Sequence, residues 1–343
     1  MAKHIYGYLV HSRRARPTLH LLSEHLTSGW TSPLPGRALA EGDLSQLHPL
    51  PELPHPIIRK AAASFAHTAD ADNFVGTITS STELRLFEIK AGQWRGGVWR
   101  DTETNVNWLV VAGLAKGEHQ DHDDFYMRVK RANEGGATDQ WLPTEADWRL
   151  LKQETAARLI TEWELALQSQ MLDSMRVVQR GGTTGGAIRH VSTERPPIGR
   201  FKVSVTQVRD DDYEADELEL ELFPEPAFAG SNLLWQATIR SLISLNPPEQ
   251  GWDRDRNSYM TIAEPGALSI RVRELERLVE GNELGESVPG THSYYAHRIH
   301  LAGQTVAGRA ARALCGVFFV PTQDPEGLAV CPNCEQRYNE MPG

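Results

Sequence analysis

Cysteine is scarce in this chain: three occur in 343 residues, Cys315, Cys331 and Cys334. All lie near the C-terminal end, so a disulfide framework is not the reading and a metal site explains them better. No apolar run approaches the length needed to cross a bilayer. Met1-Ala2-Lys3-His4 leads into a strand-like stretch rather than a signal peptide, and the chain reads as cytoplasmic, with no membrane partner. Basic residues are outnumbered, 35 Lys and Arg against 45 Asp and Glu, for a formal net charge of −10. That balance argues against an unspecialised nucleic-acid coat but leaves room for a local basic site.

What is present is ordinary for a globular protein: 40% hydrophobic and 23% charged residues. The length implies two or three folding units, each able to bury a core. The expected architecture is α+β. A first unit, residues 1–140, opens with a strand over 5–10, a basic patch of Arg13, Arg14 and Arg16, and a helix over 18–26. Pro33, Pro35, Pro49, Pro51, Pro54 and Pro56 then mark a loop-rich connector. Three β-type runs follow, 84–90, 94–100 and 106–112, separated by Gly92 and by Thr104-Asn105 as in an antiparallel meander.

Thr144 and Asp147 resemble a capping box ahead of Trp148, Leu151, Thr155, Leu159, Trp163, Leu167 and Met171, which recur at steps of three and four. This periodicity predicts a long connecting helix within 141–179. Residues 180–199, rich in glycine and then proline, read as a flexible linker and domain boundary. A second small α+β unit is expected over 200–285. Its hairpin pairs 201–208 with a strand in which Leu218, Leu220 and Leu222 alternate with Glu217, Glu219 and Glu221. A helix over 232–245 and a strand-helix pair over 268–279 complete it. Residues 286–343 form the C-terminal unit.

In that last unit Cys331-Pro332-Asn333-Cys334 sets two thiolates one tight turn apart, where both can ligate a tetrahedral ion at about 2.3 Å. Cys315-Gly316, after the small apolar Ala313-Leu314, supplies a third. With His297 as fourth ligand the site is a closed Cys3His set, whose lack of an open position implies structural zinc. The stretch from His297 through Ala313-Leu314-Cys315-Gly316, Val320-Pro321 and Cys331-Pro332-Asn333-Cys334 to Tyr338 resembles a family of short bacterial proteins of unknown function. Their signature is a histidine, Ala-Leu-Cys-Gly, Trp-Val-Pro and a terminal Cys-Pro-x-Cys. Phe319 stands here where that family usually has Trp, and the histidine-to-cysteine spacing is a little shorter. His292 and His300 therefore stay open as alternative ligands.

Residues 84–126 resemble the RelE/HigB class of toxin-like endoribonucleases, small α+β proteins that cleave messenger RNA. Leu86-Phe87-Glu88-Ile89-Lys90 is similar to that group's Leu-x-Glu-Leu-Lys strand, Trp94-Arg95-Gly96-Gly97-Val98 to its Tyr-Arg-hydrophobic strand, and the run from Leu109 to Lys116 to its apolar strand ending in lysine. Cleavage through the ribose 2′-OH needs groups that move protons and cations that offset phosphorane charge. Lys90, Arg95, Arg100 and Lys116 are the candidate phosphate clamp, and His119, His122 or Tyr126 the proton carriers. The alternative is that these charges solvate an outer sheet face. A surplus of only one base over residues 85–131 is low for gripping ribosomal RNA. The loop from Glu118 to Asp124 holds metal-ligand residue types but reads as an exposed acidic loop.

Two functions follow. The first is an RNA-directed toxin or defence effector, a metal-independent endoribonuclease acting on RNA or the ribosome, with a protein inhibitor or other protein partner. The second is a non-enzymatic, zinc-stabilised binding or adaptor protein. No helix-turn-helix pattern with a basic second helix stands out. Residues 210–221 carry eight acids and no base, either a solvated hairpin face or a phosphate mimic lying over Arg95 and Arg100.

Overall fold

The computed structural model describes residues 11–43, 47–65, 68–116, 123–210, 213–247, 252–288, 291–296, 311–316, 318–319 and 327–341. The strand expected over 5–10 lies outside them. The fold is α+β, with mainly antiparallel sheets, a long helix and a C-terminal cysteine cluster. The chain divides into two compact units, Met1–Arg158 and Leu159–Gly343.

In the first unit β1 (Arg16–Pro17) leads into α1 (Leu19–Glu24), whose N-cap Thr18 accepts a hydrogen bond from the Leu21 N–H. The proline-punctuated stretch, expected to be a connector, instead forms α2 (Pro33–Glu41) and α3 (Pro56–Ser64). Their opening prolines occupy the first helical position, where the missing N–H costs nothing, behind Ser32 and His55 as N-caps. Proline there starts a helix rather than forbidding one.

The chain then builds β2 (Gly76–Thr77), β3 (Leu86–Ala91), β4 (Trp94–Arg100) and β5 (Asn107–Leu114). These strands form a sheet of order β1-β5-β4-β3-β2, with β1 parallel to β5 and the meander antiparallel. Successive side chains alternate between its faces. Phe87, Ile89, Val98, Leu109 and Ala112 pack with Leu21, Ile57 and Ile58 of α1 and α3. Leu86, Val111 and Trp108 pack with Phe125 and Val129 of α4 (Phe125–Glu134) and with Trp141. Both faces are covered, which is why β5 reads as a nearly continuous apolar run.

The long helix is α5 (Glu145–Val178). The capping box is present: Asp147 Oδ2 accepts from the Thr144 N–H at 2.8 Å, and Thr144 Oγ1 lies 3.4 Å from the Asp147 N–H. Asp147 Oδ1 also accepts from the Leu19 N–H at 2.7 Å, so one carboxylate serves two helix starts.

In the second unit the glycine-rich first part of the linker expected over 180–199 is a strand, β6 (Gly182–Ile188), while the proline-containing part that follows is irregular. Strand β6 pairs with β7 (Gly199–Asp210) and the sheet continues through β8 (Tyr213–Pro224), β9 (Asp253–Asp255) and β10 (Ser258–Ala263) in the order β6-β7-β8-β10-β9, with all neighbours antiparallel. Close approach explains the glycines: a Cβ at Gly185 would stand 2.5 Å from the Phe201 carbonyl oxygen, and one at Gly186 3.1 Å from the Phe201 ring.

Leu218, Leu220 and Leu222 of β8 and Phe201, Val203 and Val205 of β7 face a core shared with Met171 and Met175 of α5. Leu242 of α6 (Asn232–Leu245) and Val272 of α7 (Ala267–Glu280) complete it. Three acids of β8 have partners within their own sheet. Glu221 pairs with Lys202, Glu219 accepts from Ser258 Oγ at 2.6 Å, and the buried Asp216 meets Arg209.

His25, the C-cap of α1, is largely but not fully buried, and its ring Nδ1 is enclosed. Burial, then Arg128 and His20, lower its pKa from 6.5 to about 3. Protonation is resisted in the folded state and free in the unfolded one, so stability is complete above pH 6.5 and falls as pH drops toward 3. Between pH 7.5 and pH 4.5 the native chain should lose about 2–3 kcal/mol more unfolding free energy than His25→Gln, measured in urea. Equal losses in the two proteins would exclude His25 as an acid-sensitive group.

Candidate metal centre and the basic cluster of the N-terminal sheet

The C-terminal segment is assembled on one short stretch, residues 291–296. Its strand β11 (His292–Ser293) pairs in parallel with β14 (Ala329–Val330), and the Ser293 carbonyl accepts from the Cys331 N–H at 2.9 Å. Two residues on, the Tyr295 carbonyl accepts from the Leu314 N–H at 2.7 Å, and Ala296 bridges to Ala313. The same strand therefore holds both cysteine-bearing segments in register.

Cys315 sits in the turn between β12 (Ala311–Arg312) and β13 (Phe318–Phe319). Gly316 closes that turn at φ 98°, a left-handed conformation in which its N–H bonds the Ala313 carbonyl at 2.9 Å. Cys331 is the N-cap of α8 (Pro332–Asn339), and Cys334 follows in its first turn.

The three Sγ atoms lie within 4.8 Å of one another, with Cys315 and Cys334 buried, and together they could hold a metal ion. His292 is not gathered with them. His297 and His300 lie outside the described residues.

The basic cluster is only partly as expected. On β3 and β4, Lys90 and Arg95 are direct cross-strand neighbours on the face that carries Leu86. Arg95 Nε donates to Tyr126 Oη at 3.2 Å, the Tyr126 hydroxyl donates to Glu88, and Lys90 Nζ lies 3.4 Å from Glu88 Oε1. Burial, then the bond to Glu88, push the Tyr126 pKa up. Two further bonds from Arg95 Nη1, to the Gly92 and Trp94 carbonyls, fix its guanidinium.

Arg100 is not part of this group. Five positions from Arg95 along a strand, it projects from the opposite face, where it bonds Asp72 at 2.6 Å and Asn107 Oδ1 at 2.8 Å over the Phe65 and Phe87 rings. The four-cation clamp is corrected accordingly. Lys116 follows the end of β5, where its backbone N–H donates to Asp124 Oδ2 at 2.8 Å. Asp124 is the N-cap of α4, accepting from Tyr126 and Met127 N–H groups, while His119 and His122 lie outside the described residues. The arginines near the chain start are each engaged as well: Arg13 with Asp72, Arg14 with Glu52 and Arg16 with Glu154.

Sequence reasoning missed Glu88, Asp72 and Glu154, the acids that organise these cations. For Glu88 a signal existed: it shares strand parity with Leu86, so a carboxylate was bound for a packed face. Asp72 and Glu154 carried no such local mark.

Residues 288–341 match the family model described as a protein of unknown function, DUF3039, which covers the segment holding the cysteine cluster. None of the comparisons supports a RelE/HigB relationship for residues 84–126. Neither the search of curated proteins nor that of solved structures gave a match. Among the described residues, no helix is long and apolar enough to cross a membrane.

Proposed function

We propose that this chain is a non-enzymatic binding protein whose C-terminal segment is held together by one structural zinc ion. The observation that carries the zinc assignment is the gathering of three thiols within 4.8 Å by a strand and a helix start. Bonds of about 2.3 Å in a tetrahedron put sulfur atoms about 3.8 Å apart, which falls inside that limit. Three soft thiolates with one histidine select zinc over the oxygen-loving cations. His297 or His300 is the proposed fourth ligand. Such a site is closed, so it stabilises structure and offers no position for a substrate.

A second reading, RNA cleavage of the RelE/HigB type, draws on Lys90, Arg95 and Tyr126 gathered around Glu88. The carboxylate and phenol would move protons and the cations would meet phosphate. Against it, each charged group already has a protein partner, and Arg100 projects from the opposite face. Expression of the full chain in a bacterial host separates the readings. Growth and messenger integrity equal to an empty-vector control are expected. Arrest with messenger cleavage, relieved by Arg95→Ala, would establish the nuclease.

A further inference from the structure

The five-stranded sheet of the second unit has two edges, and they differ. One edge, β9, is three residues long and carries Asp253, Arg254 and Asp255, the short charged kind that discourages further pairing. The other, β6, runs for seven residues, Gly182-Thr183-Thr184-Gly185-Gly186-Ala187-Ile188, with no charged side chain and no proline. The ladder shows which way its main chain points. Leu222 gives its N–H to the Asn257 carbonyl on the β10 side, so its β7 neighbour Phe201 turns to β6, where it is paired with Gly186. Gly182, Thr184 and Gly186 therefore face β7, and Thr183, Gly185 and Ala187 face outward. All three outward residues are exposed. The Ala187 carbonyl is taken, accepting from Gln170 Nε2 at 3.1 Å. Among the described residues the N–H and carbonyl groups of Thr183 and Gly185 have no partner.

Thr183, Gly185, Arg200, Lys202 and Phe223 line an open groove of about 600 Å³ along this edge. Phe223, 51% exposed, sits directly across from Arg200 in the β7–β8 ladder. Lys202 is held by Glu221, but Arg200 is exposed and has no hydrogen-bonding or ionic partner among the described residues. The same holds for the side chains of Arg180, Arg189 and Arg195. Together these five cations stand against the single acid Glu194 over residues 180–206, so a chain of net charge −10 is locally basic here. That bias decides the occupant. A second copy of this chain would bring β6 to β6 and arginines to arginines, whereas an acidic segment would be attracted.

We propose that the β6 edge takes up an extended acidic segment of a partner protein as a sixth strand. The main-chain groups of Thr183 and Gly185 supply the ladder, and Arg200 meets a carboxylate of the incoming strand. Strand addition of this kind draws affinity from main-chain bonds and selectivity from alternate side chains seated beside the edge. Here the exposed Phe223 ring offers an apolar rest next to Arg200. The inference rests on and deepens the reading of the chain as a binding protein, whose own test, growth and messenger integrity on expression, reads a different property.

The test is selection of randomised dodecapeptides displayed on phage against the purified full chain, followed by calorimetry with the enriched peptides. Acidic peptides should be enriched and should bind one to one with Kd tighter than about 100 μM. Binding should slow hydrogen exchange at the Thr183 and Gly185 amides, which charge attraction alone would not do. Arg200→Glu should weaken the peptide about tenfold or more. Thr183→Pro, which removes one outward N–H and no bond to β7, should also weaken it while leaving the melting profile unchanged. Failure to enrich acidic peptides, affinity unchanged in both variants, or exchange at Thr183 and Gly185 unaffected by the peptide would overturn the proposal. So would a dimer formed through β6, seen as concentration-dependent sedimentation that Thr183→Pro abolishes.

Discussion

Replacing Cys331 by Ser should release zinc and unfold the C-terminal segment while leaving the sheet of residues 86–114 intact. Among the described residues the apolar cluster there comprises Ala313, Cys315 and Cys334, with Tyr294, Leu314 and Cys331 against them, and the backbone ties include a two-residue parallel pair, a two-residue hairpin and an isolated bridge. On the proposed zinc assignment, the metal adds to these contacts stabilisation that helps to order the segment. Structural zinc supplies on the order of 10 kcal/mol to peptides of this size, and that free energy is folding free energy. Hydrogen exchange should therefore show loss of amide protection at Leu314 and Cys331 in Cys331→Ser, and the same loss when a chelator strips the native chain. Protection unchanged in both cases would mean that the segment folds on protein contacts alone.

The second large effect belongs to Glu154. Its partner Arg16 has only 3% of its side chain exposed, and Glu154 itself 13%, so this pair is desolvated. Burial lowers the Arg16 pKa, and Glu154 is the first charge opposing that shift. Glu154→Ala leaves a guanidinium in the interior with no carboxylate bond and also frees the Leu50 N–H. Removing one partner of a buried pair costs about 3–5 kcal/mol, a drop in melting temperature on the order of 10 °C. The double variant Arg16→Met, Glu154→Leu should recover much of the loss, because no uncompensated charge remains. If the double variant is no more stable than Glu154→Ala, the penalty lies in packing rather than charge.

Where the chain advertises a repeating period, sequence and structure agree. The steps of three and four from Trp148 to Met171 and the Thr144 to Asp147 cap mark α5, alternation marks β7 and β8, and turn spacing between β-type runs marks β3 to β5. Glycine and proline were harder to read. At Pro33 and Pro56 the residue names a helix start, and at Gly185 and Gly186 it marks room for Phe201, although both patterns look like loop in one dimension.

The cysteine cluster was legible because two cysteines lie three residues apart and the third directly precedes the glycine that closes its turn. The basic site was misjudged for a countable reason: Arg95 and Arg100 differ by an odd number of residues, so one strand sends them to opposite faces. Their acidic partners were invisible for another. Glu154 lies 138 residues from Arg16, and Asp72 is 28 from Arg100, beyond any local pattern.

The most direct measurement is X-ray absorption at the zinc edge on the purified full chain, with metal content determined on the same sample. The account predicts one zinc per chain, with three sulfur neighbours at about 2.3 Å and one nitrogen at about 2.0 Å. A metal-free chain with an unchanged melting profile, or a zinc shell of oxygen and nitrogen without sulfur, would contradict it.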